Sequence, residues 1–111
     1  MFEYKALVLN VIDADTLKLQ IDLGFSVFVV QSCRLVRVDA PEMSTMQGFT
    51  ARQFVVDALA AVTAIKVSTS KPDKYGRWLV DFFFQSPPTG PQWINLSDLL
   101  LSTHHAVPYP S

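Results

Sequence analysis

After Pro41 the hydrophobic residues of this 111-residue chain change their period, which divides the sequence into strands, a helix and strands again. Before that point the period is two. Thr16–Leu23 alternates, with Leu17, Leu19 and Ile21 on one side and Lys18, Gln20 and Asp22 on the other, as in a half-buried strand. The aliphatic segment Tyr4–Asp13 reads as the strand before it, joined across the Asp13-Ala14-Asp15 corner. Gly24 ends the second strand, and Val27–Val38, β-branched and aromatic, is predicted as a third strand long enough to bend around a barrel. Beyond Pro41, Phe49, Phe54, Val55, Ala58, Leu59 and Val62 recur at three- and four-residue spacing, predicting an amphipathic helix from about Gln47 to Ala61.

Ala64–Ser70 and Trp78–Phe84 return to strand patterning, separated by the polar turn Lys71–Arg77. Pro87, Pro88, Gly90 and Pro91 form a loop that cannot join a ladder centrally. Asn95–Thr103 is predicted as a short second helix with Leu96, Leu99 and Leu100 on its apolar face. Three strands, a helix, two strands and a helix make an α+β, mainly β chain. That order matches the five-stranded Greek-key barrel of the OB-fold, here as one domain over residues 1–111.

The composition, 50% hydrophobic and 17% charged, belongs to a folded globular chain and excludes disorder. A net charge of −1 excludes a global basic field, yet all nine Lys and Arg lie at or before Arg77. A phosphate-binding surface must therefore come from the first two thirds of the chain. Cys33 is the only cysteine, which excludes an internal disulfide and reads as a small buried hydrophobe. The start MFEYKALVLN lacks the basic and apolar regions of a signal peptide, and no apolar run approaches the roughly 20 residues of a membrane span. The expectation is a soluble, intracellular protein with no membrane role and no evident obligate protein partner.

Four clusters can carry chemistry. Arg34, Asp39 and Glu42 lie in RLVRVDAPE, where Pro41 forces a rigid turn after the strand. Asp13 and Asp15 flank Ala14 at the first hairpin corner, Asp15 being the better placed to project a carboxylate. DKYGR, residues 73–77, sets Lys74, Tyr75 and Arg77 around a glycine turn, and Tyr109 stands near the end of the chain. Each has a plain structural reading as well: a surface salt bridge, a local turn contact, a solvated hairpin tip, core packing. Taken together they form one kit. Asp15 and Asp39 can hold a hard cation through oxygen, Arg34 and Arg77 can grip a phosphodiester, and Glu42 can orient or deprotonate water. His104 and His105 are adjacent and lack spaced partners for a zinc set.

In these motifs the chain resembles the staphylococcal nuclease (thermonuclease) family, across roughly Tyr4 to Tyr109. VIDADTLKL resembles the family's strand–DGDT–strand hairpin, RLVRVDAPE its arginine-to-DxPE segment, DKYGR its hairpin turn, and INLSDLLL with AVPY its last helix and closing segment. The resemblance implies a Ca2+-dependent nuclease acting on DNA and/or RNA. It implies Asp15, Asp39 and the backbone carbonyl of Ala40 as Ca2+ ligands, with Asp13 supporting the metal site from behind. Arg34 and Arg77 would bind the scissile phosphate, Glu42 would act on the water, and Lys74, Tyr75 and Tyr109 would contact a terminal phosphate. Three departures from the family stand out. Ala14 replaces the usual corner glycine, at a cost of about 1 kcal/mol or more if the corner needs positive φ. The loop from Glu42 to the helix is short. The chain lacks a third C-terminal helix, and His104 stands where a helix-ending glycine is usual. A non-catalytic OB-type module binding nucleic acid or protein is the alternative.

Overall fold

A computed structural model of the chain describes residues 3–72, 76–87 and 90–109. Its elements are β1 (Glu3–Asp13), β2 (Thr16–Asp22), β3 (Phe28–Leu35), β4 (Val38–Asp39), α1 (Met46–Leu59), β5 (Ala64–Pro72), β6 (Trp78–Gln85), β7 (Ile94–Asn95), α2 (Leu96–Ser102) and β8 (Val107–Pro108). The main sheet runs β3-β2-β1-β5-β6-β7, and a parallel pairing of β3 with β6 closes β1, β2, β3, β5 and β6 into a barrel. The protein is a mainly β, five-stranded barrel with two helices, of the OB-like α+β class.

Alternation fills the barrel. Leu17, Leu19 and Ile21 of β2 meet Cys33 and Leu35 of β3 and Val80, Phe82 and Phe84 of β6, all at most 2% exposed. Each such side chain contributes roughly 1.5–3 kcal/mol of burial. Val55 from α1 and Leu96 and Leu100 from α2 join the same core. Burial pushes the Cys33 thiol up to about 11, consistent with a packing role and poor nucleophilicity.

Two expectations are corrected. The predicted third strand does not run unbroken from Val27 to Val38. It stops at Leu35, and Arg37 adopts φ 68°, where an ordinary side chain crowds its own backbone. The kink is pinned from several sides. Val36 N–H donates to Val80 O (3.1 Å), Ser97 Oγ to Val36 O (2.9 Å), and the Arg37 guanidinium meets Asp98 (3.1 Å) and Asp81 (3.4 Å). β4 leaves the barrel at the kink and pairs with β8.

The inward face of α1 is the predicted one at Val55 and Leu59, with Phe54 and Val62 packed against the core, but not at Phe49. Gly48, Ala51, Val55 and Leu59 are buried, whereas Phe49 is 61% exposed. A Cβ at position 48 would overlap the carbonyl of Glu42, so glycine lets the helix lie directly on the Pro41–Glu42 turn. Thr45 caps this helix. Its Oγ1 accepts from Gly48 N–H (3.0 Å) and donates to Glu42 O (2.6 Å).

Candidate functional site

Three strand ends converge on one guanidinium. Arg34, near the end of β3, pairs across the ladder with Thr16 of β2 and Leu79 of β6. Its Nη1 donates to the carbonyls of Leu35 and Val38, both at 3.0 Å, so the kink at Arg37 folds the chain back around the side chain. Its Nη2 lies 3.4 Å from Asp15 Oδ2 and 3.4 Å from Asp39 Oδ1. The face of the Tyr109 ring covers the guanidinium carbon at 5.1 Å, within cation–π range.

Asp15 is the buried member, only 7% exposed. A carboxylate removed from water must be paired and hydrogen-bonded. Here Oδ2 accepts from Ala40 N–H (2.9 Å) as well as meeting Arg34, and Oδ1 accepts from Thr16 Oγ1 (3.1 Å). The backbone holds it too, since Leu35 N–H donates to Asp15 O at 2.8 Å. Asp39, by contrast, is half-exposed and faces outward beside Arg34. Ala14 packs at 1% exposure and is not among the residues with positive φ. The alanine at the corner therefore carries no left-handed strain.

Asp13 extends the acidic group. Desolvation raises its pKa, the charge of Asp15 raises it further, and Arg77 and Arg52 act in the opposite sense. Arg77 is thus electrostatically coupled to the corner from the start of β6. The contribution of Arg52 is not apparent from sequence. It comes from α1, where its Nε donates to Val11 O at 2.7 Å and brings a third cation toward the corner. A helical arginine carries no motif, and only the docking of α1 on β1 reveals it. Arg37 was likewise missed as a scaffold, although its carbonyl accepts from Tyr109 N–H at 2.9 Å.

The fold brings together Asp15, Arg34, Asp39, Ala40 and Tyr109, with Asp13 and Arg77 nearby. Ala40 takes part through its N–H. Glu42 is exposed at the rim; its carbonyl is engaged by Thr45, and among the described residues its carboxylate has no hydrogen bond or ion pair. Lys74 and Tyr75 lie outside the described residues. A groove of about 190 Å³ leads away from Asp39 between Ala40, Pro41, His104, His105 and Val107. His105 is fixed by stacking on Phe54 at 4.1 Å and by Thr103 Oγ1 at 2.8 Å.

The donor chemistry here suits a hard cation. Both side chains are carboxylates, and a positive group already lies between them. Among the described residues no cluster of three or more His, Cys, Asp or Glu surrounds this point, so carbonyl, water and substrate oxygens would have to complete a shell. At 3.4 Å the contacts of Nη2 are longer than a tight charge-assisted pair, about 2.7–2.9 Å. Nη1 anchors Arg34 to two carbonyls, and Nη2 is the less tightly held end of the guanidinium. No helix among the described residues is long and apolar enough to cross a membrane. No family model matches this chain, and no curated protein matches it either.

Proposed function

We propose that this protein is a Ca2+-dependent nuclease of the thermonuclease type, hydrolysing phosphodiester bonds of DNA and/or RNA. The observation that carries this reading is the bridging of Asp15 and Asp39 by the Nη2 of Arg34, which gathers two metal-type carboxylates and a phosphate-type cation from three strand ends. A salt bridge alone does not require a second carboxylate, a carbonyl-anchored Nη1 and an aromatic cover.

In this reading Asp15, Asp39 and the Ala40 carbonyl hold Ca2+, with Asp13 supporting from behind. Bound there, the ion would counter the negative charge that builds on the phosphate. Arg34 swings Nη2 from the carboxylates to a phosphate oxygen, and Arg77 grips a second oxygen. Glu42, exposed and with no side-chain hydrogen bond or ion pair among the described residues, orients water or takes its proton. The water oxygen bonds to phosphorus, the ester P–O bond breaks, and the leaving oxygen takes a proton from solvent. Tyr109 holds Arg34 in plane, and Lys74 and Tyr75 contact a terminal phosphate.

A second reading, a non-catalytic OB-type module binding nucleic acid or protein, draws on the same contacts. Arg34 already neutralises part of the carboxylate charge, and among the described residues Glu42 is engaged only through its backbone. Incubating the folded protein with plasmid and heat-denatured DNA, with Ca2+ or with a chelator, separates the two. Cleavage that needs Ca2+ is expected. Intact DNA at every Ca2+ concentration would sink the nuclease reading and leave the module.

A further inference from the structure

The strongest anomaly outside the candidate site is the loop joining β2 to β3. Gly24, Phe25 and Ser26 have φ of 89°, 55° and 61°, three successive residues in the left-handed region. Side chains resist that conformation, and a phenylalanine there needs a reason. Core packing is not the reason, because Phe25 is 102% exposed. The loop is nonetheless well tied. Leu23 N–H donates to Val27 O and Val27 N–H to Gly24 O, both at 2.9 Å, and Gly24 N–H donates to Asp22 Oδ1 at 2.8 Å. The turn holds an aromatic ring out into water.

Beside this projection the outer face of β1, β2 and β3 mixes exposed apolar side chains with a few polar ones. Leu7, Gln20 and Val30 pair in register across β1, β2 and β3, with Asp22 and Phe28 pairing alongside. A shallow cavity of about 250 Å³ opens here, lined by Lys5, Leu7, Gln20, Asp22 and Phe28. Leu7, Phe28 and Val30 on this face are exposed, as are Phe25 and Val27 in the adjoining loop. From Leu19 to Cys33 the only charged residue is Asp22.

We propose that this face is a self-association surface, with Phe25 of each copy inserting into the cavity between Leu7, Gln20 and Phe28 of the other. Knob and hole lie side by side on one surface, which is what a closed two-fold contact requires. A complementary pair on opposite faces would instead propagate a filament. Charge fits as well. Lys5 and Asp22 line the same cavity, so each copy presents one charge of each sign and two copies meet without a like-charge excess. A fully exposed phenylalanine alone offers up to ~200 Å² of apolar surface to such a contact. An anionic membrane is the weaker occupant, since no Lys or Arg occurs between Lys18 and Arg34.

Sedimentation of the full chain over a micromolar to submillimolar series tests this. The mass is expected to double with concentration. Phe25→Asn, which suits left-handed backbone, is expected to fold with an equal or higher Tm and to weaken dimerisation by at least about tenfold. Gln20→Lys, which puts a charge into the cavity from an outward β2 position, is expected to do the same. A wild-type chain that stays monomeric throughout the series overturns the proposal. So do a Phe25→Asn chain that dimerises like wild type and a monomeric chain that binds neutral phosphatidylcholine vesicles through Phe25.

Discussion

Arg34 is anchored at one end of its guanidinium and less tightly held at the other. Two carbonyls hold Nη1 while Nη2 stays loosely shared between Asp15 and Asp39. Under the proposed function, Arg34→Ala is expected to reduce turnover by about 10²–10³-fold, the usual loss when one transition-state contact is removed. It should also destabilise the fold, because Asp15 is left buried without its cation. Glu42→Gln separates the two effects. The Glu42 side chain is exposed, so turnover should fall while the urea midpoint stays at wild type. Asp13 gives a pH signature. Its carboxyl keeps a proton to higher pH than the ordinary 3.8, so the native state binds more protons than the unfolded chain just above that value. Stability from this group therefore falls as pH rises through 3.8 toward the raised value. Asp13→Asn should flatten that part of the profile and stabilise the protein at neutral pH, measured as urea midpoints across pH.

At the scale of elements, the sequence was most legible where burial has a strict period. Leu17, Leu19 and Ile21 of β2 alternate in sequence and are all 0% exposed. It was less legible at the start of α1, where Phe49 is left outside although Val55 and Leu59 are buried as their spacing predicts. Gly48 faces inward because the Pro41–Glu42 turn comes too close for any side chain, and Ala51 is buried one turn on. Gly48→Ala, which raises the propensity of an ordinary helix, is expected here to lower stability by more than about 1 kcal/mol, because the added methyl meets backbone that cannot rotate away. The end of α2 gives the opposite case. His104 adopts φ 62° where its N–H donates to Leu101 O (3.2 Å), while His105 N–H donates to Leu100 O (2.9 Å), a Schellman arrangement. The cap forms in full with the wrong residue in it. His104→Gly should raise stability by about 1 kcal/mol, read from thermal melts.

For the whole molecule, the order of periods along the chain was enough to identify a five-stranded barrel, because few closed topologies accommodate a helix between the third and fourth strands. The kink at Arg37 escaped sequence reading, since no glycine marks it and its support comes from Asp81, Ser97 and Asp98, far along the chain. The Asp15–Arg34–Asp39 grouping was legible in type and only the fold supplied its contacts. With nine Lys and Arg against ten Asp and Glu, nucleic-acid binding by the proposed nuclease should be weak and salt-sensitive, with few phosphate contacts in the slope of log K against log salt.

The β4–β8 pairing is a latch separate from the barrel. β8 pairs with Asp39, and Tyr109 lies over Arg34, yet neither takes part in the main sheet. Opening of this two-residue ladder would uncover Arg34 and its two carboxylates while every pairing of the barrel stays in place. Access to the guanidinium can therefore vary at a small local free energy, independent of the stability of the scaffold that bears it.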